Sequence, residues 1–155
     1  MCGLVGFLGG ADAASADQAR SLLERMAGSI RHRGPDHQGF WADAEAAVAL
    51  AHNRLAIVDL SEAGNQPMHS PGGRYVTVYN GEIYNHLAIR ALLEQQGHGG
   101  ACRGHSDTRT LLAAIEAWGL ERTLEQAIGM FAFALWDRER RELVLVRGRV
   151  GVKRL

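Results

Sequence analysis

Apolar and polar positions along the chain alternate between two periods. Residues 2–8, Cys2-Gly3-Leu4-Val5-Gly6-Phe7-Leu8, are almost all apolar or small and predict a buried strand. Ser15 opens a helix with Gln18 three residues on as its capping-box partner, and Ala19, Leu22, Leu23, Met26, Ala27 and Ile30 then fall on one face. Arg31 to Asp36 is polar and carries Gly34-Pro35, which predicts a loop packed against the strands, with His32 as a hydrogen-bonded loop histidine. Short strands are predicted at Gly39-Phe40-Trp41, Ala46 to Ala51 and Leu55 to Val58, and a Pro/Gly-rich loop from Asn65 to Gly73.

Tyr75 to Tyr79 alternates as a strand and runs into Asn80-Gly81, the strongest short turn signal. A helix carrying Leu87, Leu92 and Leu93 stops at Gly97, and a Gly-rich loop leads to a helix capped by Ser106 or Asp107 and ended by Gly119. A short helical piece follows from Leu120 to Ala127. Met130 to Trp136 and Glu142 to Val146 predict a hairpin across residues 137–140. Strands sit next to strands more often than they alternate with helices, an α+β pattern without internal repeat or linker.

Composition narrows the class. The chain has 155 residues, 46% apolar and 22% charged, which indicates one globular domain. Seventeen basic and 17 acidic residues cancel, and no basic run argues for nucleic acid. No stretch approaches a membrane span, and no positively charged segment precedes the apolar opening, so neither a transmembrane helix nor a signal peptide is expected. Cys2 and Cys102 are the only cysteines, too few for a disulfide framework; a reducing cytoplasm is the expected location. His98, Cys102 and His105 lack the spacing of a zinc site, and no metal is expected.

Cys2 directly follows Met1. Methionine aminopeptidase removes Met1 ahead of a small side chain, which would place a nucleophilic sulfur and a basic α-amine on one residue. A free α-amine loses its proton near neutral pH, so it can relay a thiol proton without a histidine. A lone cysteine is also commonly a small buried hydrophobe. Asn80-Gly81 brings an amide side chain and an unshielded N–H to one rim, which could hold an oxyanion; taken alone it favours an ordinary turn, and the conjunction with Cys2 reverses that. Arg54 offers a fork that fits a carboxylate, and Asp107 could hold an ammonium, so together they would grip a free α-amino acid. Their ordinary alternatives are a surface ion pair and a helix cap.

MCGLVGF, RHRGPDHQG, LAHNRLAIVDL, NQPM, YNGEIYNH, GHSDT and GMFAFALWD, in that order, resemble the N-terminal glutaminase domain of asparagine synthetases. These are class II glutamine amidotransferases of the N-terminal-nucleophile hydrolase type. The resemblance implies an αββα sandwich, two antiparallel sheets between helix layers. It implies hydrolysis of L-glutamine through a Cys2 thioester, with the Cys2 amine as base and Asn80 and Gly81 as oxyanion hole. Arg54 would bind the substrate carboxylate; Asp107 and Glu82 would surround its amino group; Leu55, Ile57 and Val58 would border it through their backbone.

The chain departs from the family in two ways. No synthetase domain is expected within residues 1–155, so ATP and magnesium would belong elsewhere and no cofactor is expected here; residues 1–155 read as a C-terminally truncated amidotransferase domain whose last strands are expected to be incomplete. The ammonia would go to water or to a separate synthetase. In the closing segment, Gly148 and Arg154 break the family's Arg-Asp-x-x-Gly-x-Lys-Pro-Leu pattern, with Val152 at a position the pattern leaves open, and Arg109 replaces a glutamate expected two residues after Asp107. The competing reading is a non-catalytic paralogue that binds glutamine or a partner protein.

Overall fold

A computed structural model describes residues 2–9, 15–56, 61–101 and 106–155. Among the described residues, seven strands form two antiparallel sheets. The first has the order β1 (Gly3–Leu8), β3 (Val48–Arg54), β2 (His37–Asp43); the second runs β4 (Met68–His69), β5 (Tyr75–Ile83), β6 (Gly129–Asp137), β7 (Glu142–Arg147). Helix α1 (Ala16–Ser29) lies on the first sheet. Helices α2 (His86–Gln95), α3 (Asp107–Trp118) and the short α4 (Leu120–Gln126) belong to the second.

Strand alternation produces the layers. On β3, Ala49 and Ala51 pack with Leu23 and Ala27 of α1, small side chains allowing a close helix approach. Val48 and Leu50 point the other way, meeting Val76 and Val78 of β5 and Ala134 and Trp136 of β6 between the sheets. The opposite face of the second sheet, with Tyr79, Phe131, Phe133 and Leu135, packs on Ile89, Leu93, Leu111 and Ile115. The order helix, sheet, sheet, helix is the expected αββα sandwich.

Local expectations hold for α1, where Ser15 Oγ accepts the Gln18 N–H at 3.2 Å and the buried residues recur at Ala19, Leu23 and Ala27. In α2 it is Ile89 and Leu93, four residues apart, that turn inward, while Leu87 is 65% exposed. Strand boundaries differ: β2 extends from His37 to Asp43, β4 lies inside the loop expected from Asn65 to Gly73, and β3 shifts at both ends. The segment Glu45-Ala46-Ala47 is a turn, with the Ala46 N–H on Asp43 Oδ1 and Ala47 at φ 50°, so β3 starts at Val48. It continues to Arg54, and Leu55 and Ala56 lie beyond it rather than in a strand of their own; Ile57 and Val58 lie outside the described residues.

Asn80-Gly81 is no turn. β5 runs through it to Ile83, and the chain turns at Tyr84-Asn85 instead. Glycine is required at 81 because a Cβ there would stand 2.6 Å from Phe131 Cα on the neighbouring strand. A glycine inside a strand pattern thus marks a close backbone approach, and the local turn statistics lose to sheet packing.

Candidate active site

Beyond Leu50 and Val78 the space between the sheets stops being apolar. The next interior-facing positions are His52 and Arg54 on β3, and Asn80 and Glu82 on β5. At this end a cavity of about 280 Å³ opens. Cys2, one residue before β1 and on the same face as the interior Leu4, lines it together with Arg54 and Leu55 from the first sheet. Asn80, Gly81 and Glu82 line it from β5, and Asp107 from the start of α3. The structure therefore brings together all the predicted site residues that it describes; Ile57 and Val58 lie outside the described residues.

The Cys2 sulfur is held at the end of β3. It accepts the Leu55 N–H at 3.4 Å, and its thiol reaches the Leu55 carbonyl at 3.7 Å. The Arg33 side chain donates to the Cys2 carbonyl at 3.2 Å, so the Arg31–Asp36 loop helps fix the chain start. The same loop receives the Ala56 N–H on Asp36 Oδ2 at 2.8 Å, and Gly34 sits where a Cβ would strike the β3 backbone. This is the predicted structured loop. His32, in contrast, is exposed and makes no side-chain hydrogen bond among the described residues.

Arg54 is only 7% exposed, so it is not a surface ion-pair residue. Its Nη1 donates to the Ser61 carbonyl and to Asn65 Oδ1, both at 2.8 Å, which aims the guanidinium. A side chain at Gly64 would meet that guanidinium, with Cζ 2.9 Å away, so the glycine keeps room for it.

The edge of β5 explains the Gly81 N–H. Odd-numbered residues of β5 turn their N–H away from β6. Tyr79 donates to Gln66 Oε1 at 2.6 Å and Ile83 to Asp107 Oδ2 at 3.0 Å. Gly81, midway between them, turns its N–H to the same edge, beside the cavity it lines. The Asn80 side chain, 5% exposed, faces between the sheets. Asp107 is the first residue of α3 and Ser106 occupies the cap position, without a side-chain cap bond. Asp107 Oδ2 also accepts the Tyr79 hydroxyl at 2.9 Å, and Oδ1 the Thr108 N–H at 2.8 Å. Glu82 is exposed at the rim. Arg109 turns away from the cavity and donates to the Ala63 carbonyl.

Two residues were not foreseen. His52, 1% exposed, lines the cavity and bonds the Tyr79 carbonyl through Nε2 at 3.0 Å; a carbonyl only accepts, so Nε2 carries the proton. Burial lowers its pKa to about 4 against the pull of that bond, with Arg54 and His37 adding repulsion. Its signal was a histidine in register with Val48 and Leu50. Lys153, 8% exposed and the sole lysine, lines the cavity from the closing segment. That segment drew attention for its departures from the family pattern, yet Arg147, Gly151, Lys153 and Leu155 keep it.

Among the described residues no group of three or more His, Cys, Asp or Glu could hold a metal ion, and no helix is long and apolar enough to cross a membrane. Cys102 and His105 lie outside the described residues.

The αββα sandwich thus gathers a cysteine and charged side chains of both signs at one end of its inter-sheet space. The chain belongs to the glutamine amidotransferase domain family, whose profile matches residues 1–155. It is 40% identical over its whole length to a putative glutamine-hydrolysing asparagine synthetase of Mycobacterium tuberculosis, and 37% identical over 99% of its length to asparagine synthetase 3 of Bacillus subtilis. It is also 39% identical over 90% of its length to the amidase chry2 of Gibberella zeae. The chain spans 25%, 24% and 20% of these proteins respectively.

Proposed function

We propose that the domain hydrolyses L-glutamine to glutamate and ammonia through a Cys2 thioester. The observation that carries this reading is the common cavity: a cysteine at the chain start, a buried arginine, an amide side chain beside an edge N–H, and a carboxylate. The lining charges are two positive, Arg54 and Lys153, and two negative, Glu82 and Asp107, which suits a zwitterion.

With Met1 removed, the Cys2 amine takes the thiol proton and the thiolate attacks the side-chain amide carbon. Asn80 Nδ2 and the Gly81 N–H hold the oxyanion. Collapse breaks the C–N bond, the proton passes to the leaving nitrogen, and ammonia departs. Water, deprotonated by the same amine, then attacks the thioester and releases glutamate and the thiol. Arg54 and Asp107 hold the α-carboxylate and α-ammonium throughout, so they act on binding more than on turnover. No metal or organic cofactor takes part. The ammonia passes to a synthetase unit that forms an amide, of the kind the names of the bacterial relatives describe.

The test is glutamate and ammonia release by the Met1-processed protein against Cys2→Ala. Equal rates would remove the reading. Labelling of Cys2 by a glutamine-like electrophile without any turnover would leave a glutamine-binding protein that is not an enzyme.

A further inference from the structure

Asp107 is held by Tyr79, Ile83 and Thr108, which line the cavity with it. Its Oδ2 accepts two donors from β5, the Tyr79 hydroxyl at 2.9 Å and the Ile83 N–H at 3.0 Å. Its Oδ1 accepts the Thr108 N–H at 2.8 Å, with the Thr108 hydroxyl further off at 3.4 Å. An ionised carboxylate offers about four acceptor positions. Oδ2 is therefore filled, and only the Oδ1 position that the Thr108 hydroxyl loosely touches is left for an incoming donor.

Tyr79 itself is immobilised. Its ring is 3% exposed on the helix-facing side of the second sheet, tilted against Phe133 at 6.3 Å. Its N–H is bonded to Gln66 and its carbonyl to His52. Burial and the adjacent carboxylate push its hydroxyl above the ordinary phenol range, so it stays a donor. Tyr79 cannot follow a movement of Asp107, so Asp107 takes the orientation that Tyr79 imposes.

We propose that Tyr79 is a positioning residue for substrate selection: by fixing the Asp107 carboxylate it sets where a primary ammonium docks, and so favours α-amino acid amides over the same amide lacking the amino group. The proposal rests on the glutaminase reading above. Free to rotate, the carboxylate would still be present but would have to be ordered at each binding event, which weakens affinity for the ammonium alone.

The experiment compares Tyr79→Phe with the parent protein on L-glutamine and on glutaramate, its deamino analogue. Phenylalanine keeps the buried ring, and the unfolding midpoint reports that the fold is kept. The expected result is a roughly tenfold rise in KM for glutamine, the scale of one hydrogen bond to a charged group, with kcat falling far less and the KM for glutaramate moving less than about threefold. Asp107→Asn should lose the same discrimination, and adding Tyr79→Phe to it should cost little more. Equal losses on both substrates, or additive losses in the double variant, overturn the proposal. If the parent protein turns over no glutamine, the glutaminase reading fails on that result. The Tyr79 assignment is then decided by calorimetry with L-glutamate against glutarate, where selective loss supports it and equal loss overturns it.

Discussion

The two ends of the inter-sheet layer are built from the same strand faces and behave oppositely. At one end Val48, Leu50, Val76, Val78, Ala134 and Trp136 close on one another, none more than 4% exposed. At the other, the same alternation presents His52, Arg54 and Asn80, and the sheets part around a cavity. β5 and β6 stay in register from Tyr75 to Ile83, so that pairing is common to both ends, whereas β4 pairs with β5 only at Val76 and Thr77 and leaves the β5 edge open beside the cavity. Side-chain chemistry changes with it. Apolar groups gain by excluding water, whereas charged and amide groups must keep either water or a partner. A sandwich becomes a pocket where its interior sequence turns polar.

The contrast can be broken from either end. The largest effect is expected from Cys2→Ala, which should lower glutamate release by roughly 10⁴-fold or more, to background, with the unfolding midpoint unchanged, because the sulfur contributes chemistry and little packing. Trp136→Ala should do the reverse, costing about 3–5 kcal/mol of stability in denaturant titration while the protein that remains folded keeps its KM for glutamine. A fall in affinity there would show that the two ends are coupled. Asn80→Ala should reduce kcat by about 10²–10³-fold with a much smaller change in KM, read from initial rates. An effect confined to KM would remove Asn80 from the oxyanion site.

The smallest effect concerns His52. Its folded pKa of about 4 lies below the unfolded value, so the unfolded chain binds more protons between the two. Stability from this group is complete above about pH 6.5 and is lost as pH falls toward 4, on the order of 1–2 kcal/mol between pH 7 and pH 5. Replacing His52 by Gln should flatten that part of the stability–pH curve. An unchanged slope would assign the acid sensitivity to other groups.

Much of this was legible in the residues. The helix α1 face, the β6–β7 hairpin and the gathering of Cys2, Arg54, Asn80 and Asp107 followed from patterns and motifs. Arg54 stands just before the strand expected from Leu55 to Val58 and in fact ends β3, a difference of local boundary that leaves its destination intact. Asn80-Gly81 was the instructive miss. Its dipeptide signal favours a turn, but the strand beside it needs a residue without a side chain, and that need is not encoded within five or six neighbours. Lys153 carries little signal because Gly148 and Arg154 depart from the pattern around it, although Arg147, Gly151 and Leu155 keep that pattern and Lys153 lines the cavity.

Local order in the chain was enough to specify periodicity and the Ser15 cap of α1, because these depend on neighbours within a turn or a strand. It could not specify the Tyr79–Asp107 bond or the depressed basicity of His52. Those arise where segments far apart in sequence meet, and they depend on which water each group loses when the two sheets close.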